Sequence, residues 1–263
     1  MNLSIRQTAL ITGASSGIGY ELAKIFARDR YNLVLVARRS DLLVSLGEEL
    51  QTKFDITVHV LIQDLALPEA PAQIFAELQQ SGINIDVLVN NAGFGAYGSF
   101  AEIDLTTELQ MIQVNMVALT HLTKLLLGNM MRRQRGKILN VASTAAFQPG
   151  PLMAVYYATK AYVLSFSEAL ANELQGSGVT VTVLCPGPTT SGFQQQAAME
   201  ESKLVYGKKM MDAATVAEIG YRGLMRHQTV VVPGLKNALL AFGVKFLPRA
   251  IVTQLVRQMQ ERV

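Results

Sequence analysis

Residues 156–160 read Tyr-Tyr-Ala-Thr-Lys, which places two phenols and an ammonium group in one short segment. On a helix, side chains three and four positions apart share a face, so Lys160 neighbours both Tyr156 and Tyr157. A phenol has a pKa of about 10 in water, and a nearby ammonium favours the phenolate and lowers that pKa. The segment therefore predicts acid–base chemistry, and its spacing alone leaves open which tyrosine performs it.

Short apolar runs alternate along the chain with longer segments of helical periodicity. The runs lack polar alternation, as in strands whose two faces are both covered. The predicted strands are 8–12, 32–37, 56–62, 86–89, 137–142, 179–184 and 229–232. The predicted helices are 18–29, 41–53, 69–81, 106–133, 154–175 and 213–226. This alternation predicts an α/β fold, a Rossmann-type doubly wound parallel sheet of about seven strands with helices on both faces.

The bulk composition indicates one large domain and excludes several protein classes. Half of the 263 residues are hydrophobic, which is enough for a full core. The single cysteine, Cys185, excludes an intrachain disulfide and fits a reducing compartment. The N-terminus lacks the pattern of a signal peptide, and no long uninterrupted apolar stretch exists, so we expect a cytoplasmic protein. A net charge of +3 does not suggest a nucleic-acid partner, and we expect no metal site.

Residues 12–19, TGASSGIG, follow the first predicted strand and begin the first predicted helix. Glycines at this junction permit a tight turn and let backbone N–H groups approach a pyrophosphate, and the helix N-terminus favours the anion. The glycine spacing differs from the common dinucleotide fingerprint, so an ordinary glycine-rich connection is the alternative. We predict cofactor contacts by Gly13, Ser15, Ser16, Gly17, Ile18 and Gly19.

The second predicted strand ends in Ala37 and is followed by Arg38 and Arg39. NAD-binding enzymes usually place an acid here for the ribose 2′-hydroxyl, whereas an arginine accommodates a 2′-phosphate. No acid is present at 36–39, so the sequence favours NADP over NAD. Asp64, just after the third strand, is a candidate acceptor for the adenine amino group. Two solvated surface arginines are the alternative interpretation.

Three further fragments follow later strands: NNAG at 90–93, NVAST at 140–144 and CPGPTTSGF at 185–193. Ligands of a doubly wound sheet bind beyond the carboxyl ends of its strands, which is where all three fragments fall. With TGASSGIG and YYATK, and in this order, they resemble the short-chain dehydrogenase/reductase family in its compact single-domain branch. The resemblance covers about residues 5–232. It implies an NADP-dependent enzyme that acts on CH–OH groups.

In that family a catalytic serine lies thirteen residues before a catalytic tyrosine, and a lysine follows that tyrosine by four. Ser143, Tyr156 and Lys160 have this spacing, so the resemblance implies that Tyr156, and not Tyr157, is the acid/base. Ser143 would donate to the carbonyl oxygen, and Lys160 would help to lower the pKa of Tyr156. The family's asparagine in the preceding helix, which matches Asn115, would lock a water against the lysine in a proton relay.

The resemblance also implies cofactor contacts beyond the glycine loop. Asn90 would lie beside the adenine ribose, and Tyr156 and Lys160 would face the nicotinamide ribose. Ser191 stands where the family usually has a threonine that binds the nicotinamide carboxamide, with the threonine pair at 189–190 as the alternative.

The segments expected around the reacting carbon are 94–97, 147–155 and a lid over 189–212. They supply Phe94, Tyr97, Phe147, Leu152, Met153, Phe193, Met210 and Met211. Such a surface predicts a small hydrophobic carbonyl or alcohol substrate, namely an acyl, steroid-like or other lipidic ketone. The alternative function is a non-catalytic NADP-binding sensor or scaffold protein of the same fold. Such relatives typically lose the tyrosine or the lysine, so the retained residues favour an enzyme.

Residues 233–263 follow a predicted NADP-binding domain over 1–232 that includes the catalytic site and the lid. This tail carries five Lys or Arg and one Glu, whereas the remaining chain is nearly neutral. Its two apolar helical segments are separated by Pro248. We expect the tail to belong to the same domain, packed on that domain or at a subunit contact in a dimer or tetramer. Peripheral contact with an anionic membrane surface is the alternative.

Overall fold

The computed structural model describes residues 6–199, 202–204, 206–207 and 210–262, so parts of the predicted lid and Val263 lie outside the described residues. Its strands are β1 (Thr8–Thr12), β2 (Asn32–Ala37), β3 (Val58–Ile62), β4 (Val87–Asn90), β5 (Gly136–Val141), β6 (Val179–Leu184), β7 (Thr189–Thr190), β8 (Met211–Asp212) and β9 (Val230–Val231). Seven of them form one parallel sheet in the order β3-β2-β1-β4-β5-β6-β9. β7 and β8 pair separately and join the two ends of the lid.

Helices alternate with the strands. They are α1 (Gly17–Arg28), α2 (Ser40–Phe54), α3 (Ala70–Gln80), α4 (Leu105–Ile112), α5 (Leu119–Arg132), α6 (Ala154–Glu173), α7 (Phe193–Gln196), α8 (Ala213–Met225), α9 (Leu235–Gly243) and α10 (Arg249–Gln260). Asp104 begins α4 by accepting from the backbone N–H of Thr107 at 3.1 Å, and Asp212 begins α8 by accepting from Thr215 at 2.7 Å. Each carboxylate satisfies a backbone donor that the first helical turn leaves free.

The two faces of the sheet are buried under different helices. Along β1, Ala9 and Ile11 pack with side chains of α1, α2 and α8, whereas Leu10 packs with α3, α5 and α6. This division follows from the strand period, since successive side chains point to opposite faces. Burying one large apolar side chain contributes about 1.5–3 kcal/mol, and Leu10 and Phe26 are fully buried. The predicted doubly wound sheet of seven strands is confirmed.

A π-helical segment, Gln113–Ala118, joins α4 and α5 into one continuous helix over Leu105–Arg132. By length and composition alone this helix could cross a membrane. Met111 and Leu122 are fully buried, so one face of this helix forms part of the core, whereas Leu105 and Leu109 are exposed. The prediction of a helix over 106–133 did not include the π-helical segment.

The predicted elements before residue 232 agree with the observed bounds within two residues. The third strand, predicted from residue 56, begins at Val58. In the tail, α9 begins after Gly234, whose φ of 87° turns the chain away from β9. A 3-10 turn at Val244–Phe246 and Pro248 separate α9 from α10, as the position of the proline predicted.

Candidate active site

A cavity of about 390 Å³ runs along the carboxyl ends of β1, β2, β4, β5 and β6. One end is lined by the glycine loop with Arg38 and Arg39, and the other by Ser143, Tyr156 and the lid. The order of the parallel strands brings these distant segments together, as expected for a ligand site of a doubly wound sheet.

The glycine loop turns tightly between β1 and α1. Gly13 and Gly17 have φ values of 66° and 57°, a left-handed conformation that favours glycine. A Cβ at Gly13 would lie 2.8 Å from Nδ2 of Asn91, so the loop also packs closely on the segment after β4. Gly13, Ser15, Ser16, Gly17 and Ile18 all line the cavity, and their contacts with a cofactor stay predictions.

Gly19 does not line the cavity, and the cofactor contact predicted for it stays a prediction. A Cβ there would lie 2.4 Å from the carbonyl oxygen of Gly13 and 2.4 Å from Nδ2 of Asn91. Its absence of a side chain lets α1 approach β1 closely. The role of Gly19 in the structure is packing.

Two arginines follow β2 at the mouth of the cavity. Nη2 of Arg39 donates to Oγ of Ser16 at 2.6 Å and to Oγ of Ser15 at 3.0 Å. Arg38 lies 3.6 Å from Asp64, which also accepts from the backbone N–H of Ala66 at 3.0 Å. The guanidinium of Arg39 and the two hydroxyls thus converge as a group of donors suited to a phosphate. The roles predicted for Arg38 and Asp64 stay predictions.

Asn90 departs from the prediction that it lies beside the adenine ribose. Its side chain is buried and its Nδ2 donates to Thr123 at 3.0 Å and to Asn140 at 2.9 Å, beneath the cavity floor. The next residue, Asn91, lines the cavity. The reason is the strand period, since Asn90 is the last residue of β4 and its side chain points to the face of the sheet that α5 covers, towards Thr123.

Thr12 holds the segment after β4 in place, and the sequence reasoning missed it. Its Oγ1 accepts from the backbone N–H groups of Asn91 and Ala92, both at 3.0 Å, and donates to the carbonyl of Val89. Its position directly before the glycine loop was the available signal, because a polar side chain that ends a buried strand needs partners.

The residues predicted to be catalytic meet at the other end of the cavity. Tyr156 and Lys160 lie one turn apart on α6, with Nζ of Lys160 5.8 Å from the ring centroid of Tyr156. Ser143 follows the end of β5 by two residues, and its hydroxyl is near enough to the phenol of Tyr156 to lower the pKa of that phenol. The Ser143 hydroxyl also accepts from the backbone N–H of Ala145 at 3.1 Å, which fixes its orientation.

Tyr157 also lines the cavity, but its ring is packed differently. A Cβ at Gly150 would lie 2.2 Å from Cγ of Tyr157, so the ring is covered by the backbone of Gly150. Its ring meets that of Tyr156 edge-on at 6.1 Å. The proximity of the Ser143 hydroxyl to the phenol of Tyr156 supports the choice of Tyr156 as the acid/base.

Burial decides the protonation of this cluster. It raises the pKa of Tyr156 to about 12, against a smaller opposite effect of the Ser143 hydrogen bond. It lowers the pKa of Lys160 to about 8, because a buried ammonium loses its hydration. The expected lowering of the tyrosine pKa by Lys160 is therefore outweighed in the protein alone. Nζ of Lys160 donates to the carbonyl of Val141 at 2.9 Å.

Asn115 lies in the π-helical segment, where its side chain is buried and fully hydrogen-bonded. Its Nδ2 donates to the carbonyl of Phe94 and to Thr159, both at 3.0 Å, and its Oδ1 accepts from the N–H of Phe94 at 3.1 Å. A Cβ at Gly93 would lie 3.0 Å from Oδ1 of Asn115 and 3.3 Å from Nζ of Lys160. Asn115 therefore positions the loop beside Lys160, and the predicted relay stays a prediction.

The substrate end of the cavity is apolar. Of the predicted residues, Phe94, Met153 and Phe193 line it, together with Met199 and Leu204 of the lid. Tyr97, Phe147, Leu152, Met210 and Met211 lie outside its lining, which corrects their predicted place. Ser191 and Thr189 line the cavity and Thr190 does not, so the structure leaves two candidates for the carboxamide contact.

Comparison with protein families matches residues 7–202 to the short chain dehydrogenase family. A very-long-chain 3-oxoacyl-CoA reductase of Pyrenophora tritici-repentis is 34% identical over 219 residues, which are 82% of this chain and 64% of the relative. The chain thus spans less than two thirds of that relative's length. A monensin polyketide synthase putative ketoacyl reductase of Streptomyces virginiae is 40% identical over 202 residues, covering 74% of this chain and 76% of the relative.

Among solved structures, a short-chain dehydrogenase from Sphingobium yanoikuyae in complex with NADPH superimposes with a TM-score of 0.82. It is 32% identical, and the match covers 91% of this chain and 92% of that chain. The family match spans the glycine loop, the Ser143–Tyr156–Lys160 cluster and the first part of the lid. The resemblance carried by the order of the motifs is thereby confirmed: the chain belongs to the short-chain dehydrogenase family.

Proposed function

We propose that the protein is an NADP(H)-dependent oxidoreductase that interconverts a hydrophobic ketone and its secondary alcohol, with Tyr156 as the acid/base. The observation that carries this proposal is the cluster of Ser143, Tyr156 and Lys160 at the apolar end of a cavity whose opposite end presents Arg39. A sensor or scaffold protein would have no need of Ser143, Tyr156 and Lys160 in one cluster.

The residues that line the cavity offer the donors that a dinucleotide needs. The backbone of the glycine loop and the N-terminus of α1 would hold the pyrophosphate, and Arg39 with the hydroxyls of Ser15 and Ser16 would hold a 2′-phosphate. Arg38 adds a second positive charge at the same mouth. When bound in this way, the nicotinamide would supply the hydride for the carbonyl carbon.

The chain's own residues handle the proton at the substrate oxygen. The raised pKa of Tyr156 keeps its phenol protonated near neutral pH, so it stands ready to donate a proton in the reductive direction. The hydroxyl of Ser143 donates to the same oxygen and stabilises the charge that develops there. Lys160, whose pKa is lowered to about 8, can return a proton to the tyrosine after turnover.

An apolar ketone is the substrate class that the cavity favours. Phe94, Met153, Phe193, Met199 and Leu204 form its wall, and Met side chains adapt to varied shapes. The relatives named as 3-oxoacyl-CoA and ketoacyl reductases act on carbonyl groups attached to acyl chains. We therefore place acyl ketones first among the lipidic carbonyls.

The assembly and location of the enzyme belong to the same proposal. Leu105, Leu109 and Val117 are 68%, 55% and 45% exposed along α4 and the π-helical segment, which supports a homo-oligomer built on this helix. We place the enzyme in the cytoplasm, either free or peripheral to a membrane.

The test is a spectrophotometric assay of NADPH oxidation over a series of ketones of increasing chain length. We expect turnover with NADPH that becomes more efficient as the apolar chain grows, because more of it is buried against the cavity wall. Absence of NADPH binding would remove the proposed function. Binding without turnover across the series would favour the sensor instead.

A further inference from the structure

The first helix of the tail and the turn after it expose a dense group of apolar side chains. Between residues 235 and 247, six of them are 45–89% exposed. We name this group the tail surface: Leu235, Leu239, Leu240, Phe242, Phe246 and Leu247. Contiguous apolar surface of this kind is rare on soluble proteins unless it binds something.

The opposite side of α9 is firmly attached to the domain. A Cβ at Gly187 would lie 2.6 Å from Nδ2 of Asn237, which in turn donates to the carbonyl of Pro233 at 2.8 Å. The ring centroids of Phe242 and Phe147 are 5.8 Å apart, and Phe147 follows Ser143 by four residues in the chain. α9 is therefore an ordered, packed helix. Asn237 and part of the Phe242 ring contact the domain, and the other side chains of the tail surface are exposed on its outer side.

The charges around the tail surface identify its partner. Residues 233–260 contain Lys236, Lys245, Arg249 and Arg257 and no Asp or Glu. All four cations are exposed. A two-fold contact between copies would bring like charges together across the interface, which disfavours a second copy as the occupant. An anionic lipid surface accommodates both features, since apolar side chains enter the acyl boundary and cations meet the phosphates.

The second helix of the tail connects this surface to the substrate end of the cavity. Val252 and Val256 of α10 are buried in the same apolar cluster as Met153 and Tyr156. At the end of α10 the carbonyl of Gln260 accepts from the phenol of Tyr97 at 2.5 Å.

The lid is attached at the same point. The backbone N–H of Lys203 donates to the carbonyl of Glu261 at 2.9 Å, and their side chains pair at 3.3 Å. The tail, which carries the tail surface on α9, thus also holds the lid in place through the end of α10.

We propose that the tail surface docks on an anionic lipid bilayer, which places the apolar end of the cavity next to a reservoir of lipid-borne substrate. Delivery of substrate rests on the proposed function. Docking does not depend on the proposed function, and it is measured without turnover. A failure of docking is therefore distinguishable from a failure of the proposed function.

The experiment is co-sedimentation of the purified full chain with two kinds of vesicle. One kind contains equal parts phosphatidylglycerol and phosphatidylcholine, and the other contains phosphatidylcholine alone. We expect binding to the anionic vesicles that falls as salt is added. The double variant Leu240→Ser/Phe246→Ser removes exposed side chains only, so it should fold normally and bind at least tenfold more weakly. Lys236→Gln/Arg249→Gln should weaken binding by about fivefold per cation removed.

The matched control is Leu42→Ser/Leu67→Ser, which removes two exposed leucines near the opposite edge of the sheet and should bind vesicles normally. An unaltered protein that does not sediment with anionic vesicles overturns the proposal. The proposal is also overturned if the control variant loses as much vesicle binding as Leu240→Ser/Phe246→Ser does, because binding would then be non-specific. If light scattering shows instead an oligomer that only Leu240→Ser/Phe246→Ser dissociates, without vesicle binding, the tail surface is a contact between copies.

Discussion

Lys160 is expected to lower the free energy of unfolding of the protein, although the proposed reaction requires it. Burial lowers the pKa of its ammonium from 10.5 to about 8, so below pH 8 the folded protein carries a buried charge that water would hold more favourably. At about 1.4 kcal/mol per pKa unit, the cost reaches about 3 kcal/mol. Replacing Lys160 by Met removes that cost and also the hydrogen bond to the Val141 carbonyl, which is worth about 1 kcal/mol. Lys160→Met should therefore raise the free energy of unfolding at pH 7 by about 2 kcal/mol while abolishing turnover.

The pH dependence has a definite sign. As pH rises from about 8 to 10.5, the folded protein releases the proton of Lys160 while the unfolded chain still binds it, so the unaltered protein gains stability. The stability difference between Lys160→Met and the unaltered protein should shrink over that window and change sign within it, about 1.5 pH units above pH 8.

Urea unfolding at pH 7 and at pH 10.5, with both proteins measured side by side, tests this reasoning. Alkaline titrations that do not involve Lys160 affect both proteins equally, so the difference reports the lysine together with the Cys185 thiol that interacts with it. A variant that is less stable at pH 7, or a difference that does not change with pH, would refute it.

Three further outcomes are expected at the cavity. Tyr156→Phe should abolish turnover while NADPH binding, measured by fluorescence, is kept, and Tyr157→Phe should lose little; equal losses would contradict the assignment of Tyr156. Arg39→Ala removes charge-assisted contacts worth about 1.5–3 kcal/mol and should weaken NADPH binding tenfold or more while NADH binding is unchanged; equal effects on both cofactors would exclude a 2′-phosphate site. Gly95→Ala places a Cβ 2.9 Å from Phe193 and 3.1 Å from Tyr156, so KM should rise more for bulky ketones than for small ones; a uniform loss would indicate general disruption.

Much of the fold was predictable because its cause is local. The apolar strands and the glycines at the β1–α1 junction report burial and backbone geometry that the sequence displays directly. The positions of Ser143, Tyr156 and Lys160 were predictable from the resemblance, since their spacing belongs to a known family. Their meeting in one cluster depends on α6 packing beside β5, which the predicted order of elements already implied.

The errors share a different cause, since they depend on the direction and the surroundings of single side chains. Asn90 and Asn91 are adjacent and identical in type, and only the end of β4 decides which one reaches the cavity. Gly19 could not be separated from Gly13 and Gly17 without knowing where Asn91 packs. The pKa of Tyr156 depends on the depth of burial, which no spacing reveals.

Because of the π-helical segment, the geometry of the site depends on the length of the helix over Leu105–Arg132. An α-helix turns by about 100° per residue, so the wider turn at Gln113–Ala118 sets the rotation of everything that follows it. Deleting one residue there would still leave a continuous helix. Asn115 could then keep its hydrogen bond to the carbonyl of Phe94 only if Leu122 and Leu126 rotated out of the core. The number of residues in this segment is therefore as much a functional constraint as their identity.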